Sequence, residues 1–580
     1  MSPCEFIRRG IPLAAALAGL AVLQPTRATA QAHESYAHAV VAADHVAASE
    51  AGLEILKQGG NVVDAAVATG FALSVVRPAS SGIGGGGFMV IWDAQSRRAI
   101  ALDYRERAPA QATRDMYLDP RDPKKVRHDA SEHGGLAVAV PGHVAGLCFA
   151  LREYGTLDLK KVLAPAIRLC RDGVPIDGHD RFVQGDVLQD FAAQPAYRDE
   201  FTALHRLYVN GGKPWKEGDR FFSPLGKVLE RIAEQGADGF YKGEVGQALV
   251  AETRRCGGLM TLDDLAAMKP VVREPLQGKI GEYAILTMPP PSSGGVALLE
   301  TINLLSAAAA RFPQAMLDKL AADSPLYLHV LAESFKHAFA DRAAFLGDGD
   351  FVKVPVGRLT SRDYAERLAG RIDLERTQTP ETYGRFTTPD DGGTTHFSIL
   401  DTAGNAVACT ETINTYFGSY VVEPRFGVVL NNEMDDFTSL PGTPNAFGLI
   451  QSEANSIEPG KRPLSSMTPT IAVREGKAEF VVGASGGPRI ITATAQVLFQ
   501  MMRFGQPAAA AVNAPRIHHQ WSPDVLEIET SQLPAAELER LGHKVRTRSD
   551  SAVVQAAART KDGQVQGASD RRKGGTAVGY

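Results

Sequence analysis

The chain has 580 residues, of which 44% are hydrophobic and 22% are charged. This composition is typical of a folded protein with a large core, and it excludes a mostly disordered chain. The 61 basic residues are outnumbered by 66 acidic ones. There is no positive excess to neutralise phosphates, so we expect no nucleic-acid partner.

The first 30 residues have the layout of a secretory signal peptide. Arg8 and Arg9 precede an apolar stretch at 10–23, and Ala28-Thr29-Ala30 supplies a cleavage site of small residues. The apolar stretch is too short to span a bilayer comfortably, and we expect no membrane anchor after its removal. We therefore predict an exported protein, periplasmic or secreted, with a buried N-terminal helix as the alternative.

Two helices are predicted over residues 36–76. The first ends at Gly59-Gly60, and Asn61 caps the second, which Pro78 stops. Alternating residues at 88–94 and 99–104 then predict two strands.

Residues 135–140 predict another strand, and Pro141-Gly142 opens a helix. The stretch 155–345 has the apolar spacing of helices, interrupted near 286–295.

A polar segment at 374–393, with prolines, glycines and almost no aliphatic residues, predicts an exposed linker. Strand patterns begin directly after it. Residues 396–400 and 405–412 predict a hairpin. Further strands are predicted at 427–430, 469–473 and 478–482, followed by a helix at 490–504.

Four cysteines remain after the signal segment: Cys148, Cys170, Cys256 and Cys409. Their spacing fits no zinc site, and we expect buried thiols, with a disulfide as the alternative that export allows.

Three local patterns are candidate sites. Gly82-x-Gly84-x-x-Gly87 matches the dinucleotide fingerprint, but a strand follows it where the fingerprint needs a helix. We therefore expect only close backbone packing at these glycines.

The second pattern, Gly483-x-Ser485-x-Gly487, matches a nucleophile elbow, with Asp524 and His543 downstream. An α/β-hydrolase needs several strand–helix units upstream, and the pattern there is a long helical one. A turn made by glycines alone is the alternative.

The third pattern is Gly393-Thr394-Thr395-His396, at the junction of linker and strand. If the bond before Thr394 were cut, its hydroxyl would become a nucleophile and its own α-amine, with an ordinary pKa near 8, would become the base. Simple β-propensity of the two threonines is the alternative.

Longer blocks decide between these patterns. Residues 394–437, 459–470, 481–494 and 513–521 closely resemble the γ-glutamyltransferase family. Upstream blocks such as SSGIGGGGFM, LDYRERAPAQATRDMYLD and FADRAAFLGDGDFVKVP extend the resemblance over nearly the whole mature chain.

The resemblance implies an α+β fold, a four-layer αββα sandwich of the N-terminal-nucleophile hydrolase type. It implies a precursor that cleaves itself between Gly393 and Thr394. The pieces are a helix-rich large subunit, 31–393, and a catalytic small subunit, 394–580, within one globular unit.

The resemblance also assigns roles to single residues. Thr394 is the nucleophile, Thr412 orients it, and Gly486 and Gly487 form the oxyanion hole. The substrate α-carboxylate is bound by Arg105, Ser465 and Ser466, and the α-ammonium group by Asn414, Glu433 and Asp436.

Residues 438–452 match a loop that covers the pocket in family members acting on glutathione; we call it the lid loop. Phe447 stands where well-known bacterial relatives have tyrosine, so the tyrosine hydroxyl is absent in this chain.

The implied reaction moves a γ-glutamyl group from glutathione or a related small molecule to an amino acid, a peptide or water. No metal or organic cofactor is implied. A cephalosporin-type acylase of the same family, a Ser485 hydrolase and a secreted binding protein that lost cleavage are the alternatives.

Overall fold

The computed structural model describes residues 34–384, 394–549 and 552–580. The predicted signal peptide, Gly393 and the end of the predicted linker lie outside these residues. Two β-sheets stacked between two layers of helices form the body of the protein, which is the predicted αββα sandwich.

The first sheet has seven strands. In spatial order they are Thr576–Gly579, Ala39–Ala43, Thr395–Asp401, Ala406–Thr412, Gly86–Asp93, Arg98–Asp103 and Val271–Arg273. Neighbours in this sheet are antiparallel. Its central strands come from both sides of the junction at Thr394, so neither segment makes the sheet alone.

The second sheet has six strands. In spatial order they are Val565–Ser569, Val553–Arg559, Lys477–Ser485, Thr470–Arg474, Tyr283–Thr287 and Leu276–Ile280. Small sheets are formed by Ile517–His518, Leu526–Ile528 and Val545–Thr547, by Leu118–Asp119 and Asp122–Val126, and by Val174–Pro175 and Arg220–Phe221.

Successive side chains along a strand point alternately into two hydrophobic cores, one under the first helical layer and one between the sheets. On the strand Thr395–Asp401, Phe397 and Ile399 face the first helical layer, whereas Leu400 belongs to the core between the sheets. Side chains of a strand point to opposite faces in turn, so a sheet buried on both faces needs apolar residues at nearly every position. The strand Ala406–Thr412 is buried along its whole length and is apolar from Ala406 to Cys409, with polar residues only at the end that reaches Thr412.

One helical layer covers the outer face of the first sheet. Its main helices are Val46–Lys57, Val62–Val76, His143–Tyr154, Leu159–Asp172, Gly178–Ala193, Thr202–Leu207, Gly226–Gln235, Asp238–Tyr241 and Gly243–Arg255. Asn61 caps Val62–Val76 as predicted, because its side chain accepts from the amides of Val63 and Asp64.

The other helical layer covers the second sheet with Gly294–Arg311, Pro325–Phe345, Arg489–Met502, Ala508–Asn513 and Ala535–Arg540. Shorter helices are His128–Glu132, Tyr197–Glu200, Leu262–Ala266, Val356–Leu359 and Arg362–Ala369. In the described part of the chain, no single helix combines the length and apolarity needed to cross a membrane; the bent pair Gly294–Arg311 and Pro313–Lys319 does so only when taken together.

Several secondary-structure elements were predicted wrongly from the sequence. Residues 39–43, predicted as helix, form a strand because they pair on both sides, with Thr395–Asp401 and Thr576–Gly579. Residues 135–140 form a short 3₁₀ turn and one bridge, and 427–430 form no strand beyond a bridge at Val429. The strand Leu276–Ile280 was missed because alternate residues of this edge strand are exposed and polar.

The four cysteines in the described part of the chain are free thiols, with Cys170 and Cys409 buried and Cys148 and Cys256 half-buried. The glycine loop at 82–87 serves close packing, as expected. A Cβ atom on Gly85 would lie 2.0 Å from the carbonyl oxygen of Thr412, and one on Gly84 equally close to that of Val429. The loop therefore supports the end of the strand that carries Thr412.

Candidate active site

Thr394 stands directly before the central strand Thr395–Asp401 and is 5% exposed. The register pairs Thr395 with Glu411, so Thr394 lies opposite Thr412 on the neighbouring strand. Their Oγ1 atoms are 3.3 Å apart, and Thr412 Oγ1 also accepts the amide of Asn414 at 2.8 Å. The Thr394 hydroxyl is thus held by a side chain that is itself fixed.

A pocket enclosing about 290 Å³ of space, its open mouth included, surrounds Thr394. Nine of the residues singled out in the sequence line it: Arg105, Thr394, Thr412, Asn414, Asp436, Phe447, Ser465, Ser466 and Gly487. Leu449, Met467 and Ile490 complete the lining. The fold therefore brings Arg105 and Gly487, which are 382 positions apart in the sequence, into one cavity.

A tight turn between the strand Lys477–Ser485 and the helix Arg489–Met502 reaches the pocket through Gly487, whereas Gly486 and Glu433 stand just behind the lining residues. Gly486 has φ 122° and Gly487 has φ 50°, in the region that favours glycine. Their carbonyl oxygens accept the amides of Arg489 and Ile490, each at 3.1 Å. Both glycines are thereby held in place at the helix N-terminus, a position where backbone amides meet anions.

Arg105 is the central charge of the pocket and is only 1% exposed. It forms ion pairs with Asp436 and Glu433, lies 3.6 Å from Glu106, and donates to the Pro463 carbonyl at 3.2 Å. The sequence assigned Arg105 and the two acids to opposite ends of a substrate. In the structure they neutralise one another.

The electrostatics follow from burial. Burial opposes the charged form of Arg105, but Glu433, Asp436 and Glu106 outweigh it and raise the pKa of the guanidinium. Burial raises the pKa of Glu433 and Asp436, although Arg105 works against it. Buried charges of this kind need partners, and a zwitterion could supply new ones to each.

Arg342 was missed by sequence reasoning as a site residue, although it lies in the FADRAAFLGDGD block that carries the resemblance. This buried arginine donates to Ser293 Oγ at 2.9 Å and to Ser466 Oγ at 3.4 Å. Burial lowers its pKa to about 10, opposed by the charge of Asp436. It therefore orients one of the two predicted hydroxyl donors.

The lid loop packs down on this pocket. Asn445 Nδ2 donates to Asp436 Oδ1 at 3.1 Å, and the Ala446 amide donates to Asp435 Oδ2 at 2.7 Å. Phe447 is 4% exposed and packs with a cluster that includes Phe339 and Trp521. The loop therefore packs against the pocket with its aromatic side chain buried, and its role as a lid stays a prediction.

The Asp524 and His543 side chains of the alternative serine hydrolase do not come together with Ser485. Asp524 lies near Lys336 and His519, each at 3.6 Å, and His543 Nε2 lies 2.8 Å from His329 Nδ1. These contacts engage both residues in a separate cluster.

That cluster includes three described side chains whose ligand atoms lie within 4.8 Å of one another, close enough for a metal: His329, Glu333 and His543. Its donors have other partners, since Glu333 Oε1 accepts from Thr377 at 2.6 Å and lies 3.4 Å from the Lys336 ammonium. The ammonium already supplies the positive charge there.

An αββα sandwich with a pocket at the threonine before a central strand defines the class of N-terminal-nucleophile hydrolases. Comparison with known proteins assigns the chain within that class. The family model for gamma-glutamyltranspeptidase matches residues 48–580. The chain therefore belongs to the γ-glutamyltranspeptidase family and is an enzyme with a threonine nucleophile of the N-terminal type.

Relatives agree with this assignment. The chain is 42% identical over 542 residues to a glutathione hydrolase proenzyme of Escherichia coli (strain K12), which covers 92% of this chain and 90% of the relative. It is 39% identical to glutathione hydrolase 2 of Arabidopsis thaliana, with 94% of each chain covered.

Solved structures give the same fold. A cephalosporin acylase from Bacillus halodurans matches with a TM-score of 0.80 at 25% identity, covering 98% of this chain and 99% of that one. A gamma-glutamyltranspeptidase from Pseudomonas nitroreducens, in complex with L-DON, matches at 38% identity with a TM-score of 0.53. That match covers 58% of this chain and 95% of the other.

Proposed function

We propose that this protein is an exported, self-processing enzyme that cleaves the γ-glutamyl amide bond of glutathione and transfers the γ-glutamyl group to amino acids, peptides or water. The observation that carries the proposal is the shared pocket of Thr394, the Gly487 turn and the Arg105 ion-pair cluster. Export is supported by the signal-peptide layout of residues 1–30.

Self-processing frees the nucleophile. Thr394 Oγ attacks the carbonyl carbon of Gly393, and the chain shifts from the amide nitrogen to the oxygen. Water then hydrolyses the ester, which leaves a carboxylate on Gly393 and a free α-amine on Thr394. The relatives named as proenzymes support such a step.

The mature enzyme repeats this chemistry on its substrate. Thr394 Oγ attacks the γ-glutamyl carbonyl while the α-amine takes the hydroxyl proton. The carbon–nitrogen bond then breaks, the leaving cysteinylglycine takes the proton, and a γ-glutamyl ester remains on Thr394. Water or an acceptor amine attacks the ester, and its proton returns to Thr394 Oγ through the α-amine.

Charge complementarity orients the substrate in this proposal. The oxyanion binds to the backbone amides of Gly486 and Gly487. The α-carboxylate binds to Arg105 and to Ser465 and Ser466, because a guanidinium and two hydroxyls suit a carboxylate.

The α-ammonium group binds to Asn414, Glu433 and Asp436. Both ends of the zwitterion replace pairings that Arg105, Glu433 and Asp436 make with one another. Binding therefore exchanges one set of buried ion pairs for another instead of leaving charges without partners.

A gel and a mass spectrum test the nucleophile. The purified wild-type protein should show two fragments, the smaller starting at Thr394, and should release glutamate and cysteinylglycine from glutathione. Thr394→Ala should stay a single inactive chain, whereas Ser485→Ala, the matched control, should still be cleaved. Loss of cleavage in Ser485→Ala with an active Thr394→Ala chain would contradict the proposal.

A cephalosporin-type acylase is the second candidate, favoured by the structural match to such an enzyme. The two activities differ in whether the acyl group carries an α-ammonium. γ-Glutamyl-p-nitroanilide and glutaryl-p-nitroanilide differ only in that group. We expect the first to be the better substrate, because Asp436 and Glu433 lie beside Arg105 to receive the ammonium. Preference for the glutaryl compound would support the acylase.

A further inference from the structure

A buried lysine near the end of the chain contacts the backbone of the proposed nucleophile. Lys573 Nζ donates to the carbonyl oxygen of Thr394 at 2.7 Å and forms an ion pair with Asp44 Oδ2 at 2.9 Å. Its side chain is 5% exposed. Neither the resemblance nor the pocket lining singles out this residue.

Strand order explains how residues 44, 394 and 573 meet. The first described strand, Ala39–Ala43, lies between Thr395–Asp401 and Thr576–Gly579 and is antiparallel to both. Its register pairs Ala43 with Phe397 on one side and with Thr576 on the other. The end of this strand, where Asp44 follows, therefore lies beside the starts of the other two, where Thr394 and Lys573 stand.

The surroundings hold Lys573 in place. Arg77 donates to the Lys573 carbonyl at 3.1 Å and to the Asp44 carbonyl at 3.3 Å, and it forms ion pairs with Asp177 and Asp180. Gln555 donates to the second oxygen of Asp44 at 2.6 Å. Such a supporting layer fixes the rotamer of a side chain that must act at a defined distance.

The ammonium must also be close to the future α-amine. In one residue, the nitrogen and the carbonyl oxygen are separated by only about 3 Å, whatever the ψ angle. Lys573 Nζ therefore lies within about 6 Å of the Thr394 nitrogen. A positive charge at that range disfavours the protonated form of an amine.

We propose that Lys573 is a positioning residue that anchors the Thr394 carbonyl and, through its charge, keeps the α-amine of Thr394 in the neutral form that accepts a proton. This role rests on the proposed self-processing. An ordinary α-amine has a pKa near 8 and is mostly protonated at pH 7. A neighbouring cation makes the free base available at neutral pH, where a general base is most useful.

Charged and titratable groups face Lys573 from several neighbouring elements. Burial lowers the pKa of Lys573 and Arg77 adds to this effect, whereas the carboxylates of Asp44 and Asp177 favour its charged form. His179 faces the same group, but burial and Lys573 lower its pKa to about 2, so this histidine stays neutral in the range of the assay. On the pocket side, Arg105 is neutralised by Asp436 and Glu433.

Three variants separate charge from hydrogen bonding. Lys573→Met removes both, Lys573→Gln keeps a donor without the charge, and Lys573→Arg keeps the charge. Arg572→Gln is the control, because Arg572 is the adjacent cation but pairs with Asp570 and Glu529. Each variant is examined by thermal unfolding, by the mass of its fragments, and by the pH dependence of kcat/KM for γ-glutamyl-p-nitroanilide.

We expect Lys573→Met and Lys573→Gln to be cleaved and to move the acidic limb of kcat/KM upward by about one pH unit, a loss that approaches tenfold on the acidic limb and is small at pH 9. Lys573→Arg should restore the limb, and Arg572→Gln should not move it. The Gln variant carries the test if the Met variant does not fold.

An unmoved acidic limb, or a loss equal at every pH, would overturn the proposal, since that is the result of a merely structural role. A folded Gln variant that stays uncleaved would also overturn it, because Lys573 would then serve precursor cleavage. Failure of the proposed function itself is distinguishable, since it would leave the wild-type protein inactive on γ-glutamyl substrates.

Discussion

Arg105→Lys tests the charge recognition at the centre of the pocket. The guanidinium contacts Asp436, Glu433 and the Pro463 carbonyl at once, whereas an ammonium keeps the charge but lacks the planar fork. A hydrogen bond to a charged group contributes about 1.5–3 kcal/mol. Because about 1.4 kcal/mol corresponds to a factor of ten, loss of one such bond to the substrate carboxylate should lower kcat/KM roughly ten- to hundredfold.

The assay is steady-state hydrolysis of γ-glutamyl-p-nitroanilide, with a denaturing gel to follow cleavage. Cleavage should persist, because the proposed role of Arg105 is in binding the substrate. The matched control is Arg231→Lys, since Arg231 forms an exposed ion pair with Glu244 and such pairs contribute about 0–1 kcal/mol. If Arg105→Lys kept the wild-type kcat/KM, the assignment of Arg105 to the carboxylate would be refuted.

Two further predictions concern the lid loop and pH. Deleting 441–449 should leave cleavage intact but raise KM for glutathione and shift the ratio of hydrolysis to transfer, measured with and without a dipeptide acceptor. Phe447→Tyr should change that ratio less, because it adds at most one hydrogen bond of about 1 kcal/mol; a deletion variant equal to wild type would show that the loop is no lid. The pKa of Glu132 is raised from 4.5 to about 7 by burial and by the nearby Asp435, Asp129 and Asp190. Its protonated form therefore stabilises the fold fully below pH 4.5, and that contribution is lost as the pH rises through 7. The melting temperature of the wild-type protein should therefore fall relative to that of Glu132→Gln between pH 5 and pH 8. The control is Glu50→Gln, at an exposed helix position. A difference between wild type and Glu132→Gln that stays constant with pH would contradict the burial argument.

Local patterns predicted the elements with strong periodicity or end signals. The hairpin around residues 401–405 and the helix capped by Asn61 are confirmed, because their signals lie within a few residues of each other. The strand Ala39–Ala43 was not predictable in this way. Its alanines and valines suit a helix as well, and only pairing with strands far along the chain makes them extended.

The pocket shows the same division. Residue types and ordered blocks in the sequence identified nine of the lining residues through the family resemblance. The sequence could not show that Arg105 pairs with Asp436 and Glu433, since each residue has a reasonable role alone. Arg342 was missed because an arginine on a helix is usually a solvated charge, and only its burial reveals its contact with Ser466.

The sequence by itself determined the family, the sandwich fold and the chemical types available to the site, because ordered blocks of residues carry that information without coordinates. The tertiary structure alone decided which charges neutralise one another and which groups reach Thr394. Lys573 is 179 residues from Thr394 and meets it only because the strand Ala39–Ala43 lies between the two strands that follow them. Contacts of that kind depend on strand order in the sheet, and strand order is set by the packing of the whole core.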